Sequence, residues 1–231
     1  MSKYKKVNRC LALSLALIFI LILGGCTPKQ SAKAQLGTNT KVILTDIKKQ
    51  KQSLRTIQAK MTKNQASFSS EQDKFPGENL LDTADSKTYQ TVTERREAYE
   101  AFKRNQTALQ SDRTELLKIS NQTYPNMPKQ AINDLVQSLH LSALDQKTFV
   151  TFMDELTSAE ETYYDLLSQD SQAHADSSGT NTASDDDISE LEAQENRLNQ
   201  YYGAVFQQIE IMNVNLNTAQ KQARDLKNKV D

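Results

Sequence analysis

Residues 188–230, ISELEAQENRLNQYYGAVFQQIEIMNVNLNTAQKQARDLKNKV, decide the fold. Steps of alternately three and four residues from Ile188 visit Leu191, Glu195, Leu198, Tyr202, Val205, Ile209, Met212, Leu216, Ala219, Ala223, Leu226 and Val230. Every position but Glu195 is apolar or tyrosine. A stripe that keeps phase over six heptads predicts one long helix. It should pack on its neighbours at a left-handed crossing of about 20°. At ~1.5 Å per residue this helix would reach about 65 Å. Asp185, Asp186 and Asp187 stand at its start, where negative charge suits the helix dipole.

Working back along the chain, three more segments carry a helical period. The first steps through Ile43, Ile47, Gln50, Leu54, Ile57, Met61, Asn64 and Phe68, and stops before Phe75-Pro76-Gly77. The second follows two competent N-caps, Asp85 and Ser86. Its stripe is Val92, Arg95, Tyr99, Phe102, Gln106, Leu109, Arg113 and Leu116. The stems of Arg95 and Arg113 can cover apolar surface while their heads reach water. Pro125 and Pro128 end that segment.

The third segment opens with Pro128 as a suitable first helical residue. It shows Ile132, Leu135, Val136 and Leu139, then Phe149, Phe152, Leu156, Ala159, Tyr163 and Leu166. A kink is expected at 140–142, where Ser142 to Asp145 resembles a capping box. Residues 168–187 hold no Val, Ile, Leu, Met or aromatic residue, so they read as a mobile acidic loop. The expected architecture is all-α: an elongated up-and-down bundle of three to four long helices, four favoured. The rival arrangement is a set of coiled-coil hairpins that need a partner.

Composition narrows the function classes. Among 231 residues are 2 Cys, 2 His, 6 Gly, 4 Pro and no Trp. That is too few cysteines for a disulfide scaffold and too few Cys and His for an evident zinc site. The low Gly and Pro argue against β-sandwiches and Gly-rich phosphate-binding folds.

The N-terminus gives an address. Lys3, Lys5, Lys6 and Arg9 precede thirteen residues, Leu11 to Leu23, of which only Ser14 is polar. As a helix that run covers about 20 Å, short of the ~30 Å hydrocarbon core. The pattern is that of a secretory signal peptide, expected over residues 1–25. Leu23-Gly24-Gly25-Cys26 resembles the lipobox of bacterial lipoproteins. In that family the cysteine thiol takes a diacylglycerol, and cleavage leaves the cysteine first. Two acyl chains hold a protein stably on a membrane.

The expected mature chain is 206 residues from Cys26. It lacks four of the Lys and Arg residues and no acidic ones, which leaves 24 basic against 29 acidic, a side-chain charge of −5. Such a chain has no general attraction for nucleic acid. Residues 26–40 read as the lipidated Cys26 and a flexible tether, and residues 41–231 as the bundle domain.

The lipobox at Cys26, Arg95-Arg96-Glu97 leading into Phe102, Phe152-Met153 with Tyr163-Tyr164, and Leu198 to Tyr202 carry a further likeness. In these the chain is similar to the YkyA-like cell-wall-binding lipoproteins of Gram-positive bacteria, over most of its mature length. The resemblance implies a four-helix up-and-down bundle on the extracytoplasmic face of the cell membrane, with a wall-binding role. It brings no catalytic residues.

No nucleophile elbow, P-loop, Gly-rich dinucleotide motif or H-E-x-x-H occurs. Glu160-Glu161 and Asp154-Glu155 are adjacent carboxylates that diverge by about 100° on a helix, so they read as solvated faces. The expectation is a non-enzymatic protein with no cofactor and no metal. Tyr163 and Tyr202 lie on the stripes and read as core. Tyr164 and Tyr201 lie off them and are candidates for stacking on sugar rings. Lys221, Arg224, Lys227 and Lys229 are candidates for binding an anionic polymer. The functional expectation is a membrane-anchored envelope lipoprotein that binds cell-wall polymer. The alternative is an envelope scaffold that binds partner proteins through helix–helix contacts.

Overall fold

The structure is a computed structural model and describes residues 31–122, 126–176 and 185–230. It contains four helices: α1 (Ala32–Lys74), α2 (Lys87–Ser120), α3 (Lys129–Asp176) and α4 (Asp185–Val230). Each packs on the next, and α4 returns to α1. Among the described residues no diagonal pair of helices brings its backbones close, and diagonal helices meet only through side chains across one shared core. The closest pairs are α1 with α2 and α3 with α4, two hairpins set face to face. This is the expected all-α up-and-down bundle, with four helices. The core closes within the chain, so the hairpins need no partner to bury their stripes.

The stripes read from the sequence form that core. Ile43, Ile47, Leu54, Ile57 and Met61 of α1 are fully buried, as are Val205, Ile209, Met212 and Leu216 of α4. Ser86 caps α2, accepting from the Tyr89 N–H at 2.9 Å and donating to the Leu80 carbonyl at 2.7 Å. The connection from α1 to α2 folds over the bundle end, where Leu80 is buried and Asn79 donates to Asp165 of α3 at 2.5 Å. Gly77 makes its turn with φ 76°, a conformation that glycine adopts without a Cβ clash.

Four expectations are corrected. The tether 26–40 is too long: α1 begins at Ala32, behind Ser31, whose side chain accepts from the Ala34 N–H. Leu36 lies one heptad before Ile43 and is fully buried, so one leucine suffices to seat the added turns. The loop 168–187 is too long as well. α3 runs on to Asp176 and α4 starts at Asp185, because extending an existing helix needs far less than nucleating one. The rest of that loop lies outside the described residues.

No break occurs at 140–142. Ser142 and Gln146 are buried and bonded to each other at 3.2 Å, and no Pro or Gly interrupts the ladder. Pro128 stands just before α3 rather than inside it, with its carbonyl accepting from the Ile132 N–H.

Neighbouring helices run antiparallel, so the start of α1 and the end of α4 share one end of the rod. There Val230 lies 3.8 Å from the place where a Cβ on Gly37 would stand.

Candidate functional site

In the half of the bundle away from that end, all four helices send polar side chains inward at one level. Arg95 of α2 and Glu160 of α3 form a two-bond ion pair, Nη1 to Oε1 at 2.6 Å and Nη2 to Oε2. Their side chains are 1% and 0% exposed. Tyr202 of α4 donates to Glu160 Oε1 at 2.6 Å. Asn64 of α1 donates to the Tyr202 hydroxyl at 3.0 Å and the Tyr164 hydroxyl at 3.4 Å, and accepts from Thr91 of α2 at 3.3 Å. Burial alone would lower the Arg95 pKa, but Glu160 and Tyr202 outweigh it and hold the guanidinium above its ordinary value. Burial, reinforced by Glu160, pushes the Tyr202 hydroxyl well above its ordinary value. The layer is therefore a fixed ion pair inside a hydrogen-bond network.

Above this layer a half-open cleft of about 150 Å³ lies between α1 and α4, with α3 behind it. Asn64, Tyr164 and Tyr202 contribute to it from the buried network. Phe68, Tyr163 and Leu198 supply apolar wall. The rings of Phe68, Tyr163 and Tyr164 lie 5.6–5.8 Å apart, centre to centre, in tilted and edge-on arrangements. Such geometry sets ring edges against ring faces. Gln65, Glu195 and Asn199 are exposed and form the rim. Burial, and then the Glu195 carboxylate, push the Tyr163 hydroxyl up to about 12.

The structure redistributes the residues singled out in the sequence. Tyr163 and Tyr202 are core, as their stripe positions require. Tyr164 is not an exposed stacking face: it is 3% exposed and belongs to the buried layer. Tyr164 lies beside the stripe position Tyr163, yet its hydroxyl accepts from Asn64 of α1 across the core. Tyr201 is half-buried. Its hydroxyl donates to Glu155 at 3.1 Å, and the Arg197 guanidinium stands 5.7 Å from its ring.

Lys221, Arg224 and Lys229 are exposed near the end shared with the start of α1, and Lys227 is half-buried. Burial, with Arg55 and Arg224 nearby, lowers the Lys51 ammonium pKa, so this end of the α1–α4 face is basic. The basic residues and the aromatic cleft therefore lie at opposite ends of the rod. Leu23, Gly24, Gly25 and Cys26 lie outside the described residues.

Two readings from spacing are overturned. Glu160 is not solvated, because it neutralises Arg95. The head of Arg95 does not reach water. Glu195 was legible as the one charged residue in the α4 stripe, but its aromatic surroundings come from α1 and α3.

Among the described residues no group of three or more His, Cys, Asp or Glu could hold a metal ion. No described helix is long and apolar enough to cross a membrane. The fold and site thus define a four-helix up-and-down bundle with a polar inner layer and an aromatic cleft. The chain matches no protein-family model, no curated protein and no solved structure.

Proposed function

We propose that the chain is a non-enzymatic lipoprotein of the bacterial envelope, anchored through a diacylglycerol on Cys26, whose rod binds cell-wall polymer. The observation that carries this reading is where the rod begins. Ser31, the N-cap of α1, is five positions past Cys26. Five residues reach at most about 18 Å, so the bundle stands directly on the membrane surface. At ~1.5 Å per residue, Asn64 and the cleft lie about 50 Å further out. Likeness to the YkyA-like lipoproteins supports the wall as the target.

Two experiments test the two halves. Metabolic labelling with a fatty acid should mark the wild type and not Cys26→Ala; equal labelling would remove the anchor. The chain from Thr27, made without lipid, should sediment saturably with purified sacculi. A supernatant fraction that never falls would remove the wall.

The scaffold reading keeps one observation in its favour. Leu141 and Leu144 of α3 and Ile211 and Val214 of α4 are 41–64% exposed. The bonds from Gln208 and Asn215 to Asp145 put them at one level of the hairpin. In-cell cross-linking from Val214 to a defined partner would favour that reading over the wall.

A further inference from the structure

We propose that the cleft between α1 and α4 binds an organic ammonium group, with Glu195 as its counter-charge and Phe68 and Tyr163 as its aromatic walls. The proposal stands on the cleft's own chemistry. Where the wall reading also holds, the ammonium would be a substituent of the polymer.

The first observation is a seam position that breaks its own rule. The α4 stripe is apolar or tyrosine at every position but Glu195. Glu195 keeps the phase of the stripe but is exposed at the rim of the cleft, so the stripe opens there and its carboxylate is accessible to a guest. Arg95, also charged and on a seam, is explained by its bond to Glu160. Glu195 has no such explanation: among the described residues it makes no ion pair.

The second observation is the lining. Glu195 is the one charged side chain among the described residues that line the cleft. The opposite rim residue is neutral Gln65. A phosphate or carboxylate ligand would meet negative charge and no cation. A cation would meet Glu195 beside the aromatic side chains of Phe68 and Tyr163, and its attraction to carboxylate and ring grows as water is excluded.

The third observation is size. A cavity of about 150 Å³ admits a benzene-sized guest. A methylated or primary alkylammonium head falls in that range. The floor is rigid, because Tyr164 and Tyr202 are fixed by Asn64 and the Arg95–Glu160 pair. The guest would enter a preformed socket.

The test uses the chain from Thr27, whose bundle core closes without the anchor. Tetramethylammonium chloride and tert-butanol, similar in shape and different in charge, are titrated at constant ionic strength. Tyrosine ring signals are followed by nuclear magnetic resonance. Saturable tetramethylammonium binding about tenfold or more tighter than tert-butanol is expected, and Glu195→Gln should abolish the difference. Glu195→Leu should lose the binding while leaving the bundle folded, because the position is exposed at the rim. Equal affinity for the two probes, no saturable binding, or an unchanged preference in Glu195→Gln would each overturn the proposal.

Sacculus sedimentation of the same proteins separates this site from the wall reading. Tetramethylammonium binding without sedimentation supports the cleft and removes the wall. Sedimentation without tetramethylammonium binding does the reverse. Sedimentation that tetramethylammonium reverses assigns the ammonium to the polymer, and sedimentation that it leaves unchanged assigns it to a free small molecule.

Discussion

Arg95→Met removes one half of an ion pair that water does not reach. The partner carboxylate of Glu160 stays at 0% exposure and keeps the Tyr202 hydroxyl, but loses both guanidinium bonds. Breaking a buried pair from one side costs about 3–5 kcal/mol. For a bundle of this length each kcal/mol lowers the melting temperature by about 2–4 °C, so a fall of roughly 6–20 °C follows. Adding Glu160→Gln should restore most of it. Glutamine keeps an acceptor for Tyr202, and the layer then carries no charge. Urea unfolding followed by far-ultraviolet circular dichroism gives all four corners of the double-mutant cycle. A coupling of at least about 2 kcal/mol is expected. If Arg95→Met costs less than about 1 kcal/mol, or the double variant is no better than the single ones, the layer is hydrated and the buried-pair argument is wrong.

Four further outcomes follow from the packing. Gln50 is fully buried on the α1 seam with neither amide atom bonded, so Gln50→Leu should raise stability by about 1–3 kcal/mol in the same urea assay. Leu198→Ala, which truncates cleft wall and core together, should lower it by about 2–5 kcal/mol. Ser86→Ala removes the α2 cap and its bond to the Leu80 carbonyl, and should lower the melting point by the equivalent of about 0.5–2 kcal/mol. Asp112 is raised from 3.8 to about 6 by burial and by Asp46 across the α1–α2 seam. The folded state therefore holds the extra proton, and stability falls as pH rises from about 4 to 6. Asp112→Asn should gain about 1 kcal/mol over wild type at pH 7, after allowing for partial exposure, and nothing at pH 3.5. Parallel stability curves across that range would contradict the pairing.

Fold and site differed in how far the amino-acid order reached. The α4 and α1 stripes mark nearly every apolar residue that those two helices bury, because apolar burial depends on phase along one helix and phase is local. Helix ends were less legible. Leu36 alone, amid polar residues, seats the nine residues 32–40 of α1 that read as tether, in a stretch that offered no second large apolar cue.

The polar layer was half legible. Arg95 stands on a stripe, which marks it as a seam residue. Its partner could not be named, since Glu160 and Glu161 look alike until α2 and α3 are set in register. One then pairs inside with Arg95 and the other outside with Arg96. Tyr164 was missed for the same reason: its place depends on how α1 and α4 converge over α3. Glu195 was visible as an exception, and only the aromatic rings of two other helices give the exception a chemistry.

The two ends of the rod also set how it would carry a load. For a chain held at Cys26, tension applied at the cleft runs up α1 and is shared with three neighbours lying alongside. Such a pull slides helices lengthwise instead of peeling one from the end. Sliding by even one residue misaligns every interlocked layer together, including the Arg95–Glu160 pair. In a chain so held, the inner charged layer would serve as a detent, since both guanidinium bonds to Glu160 must break at the same step of sliding.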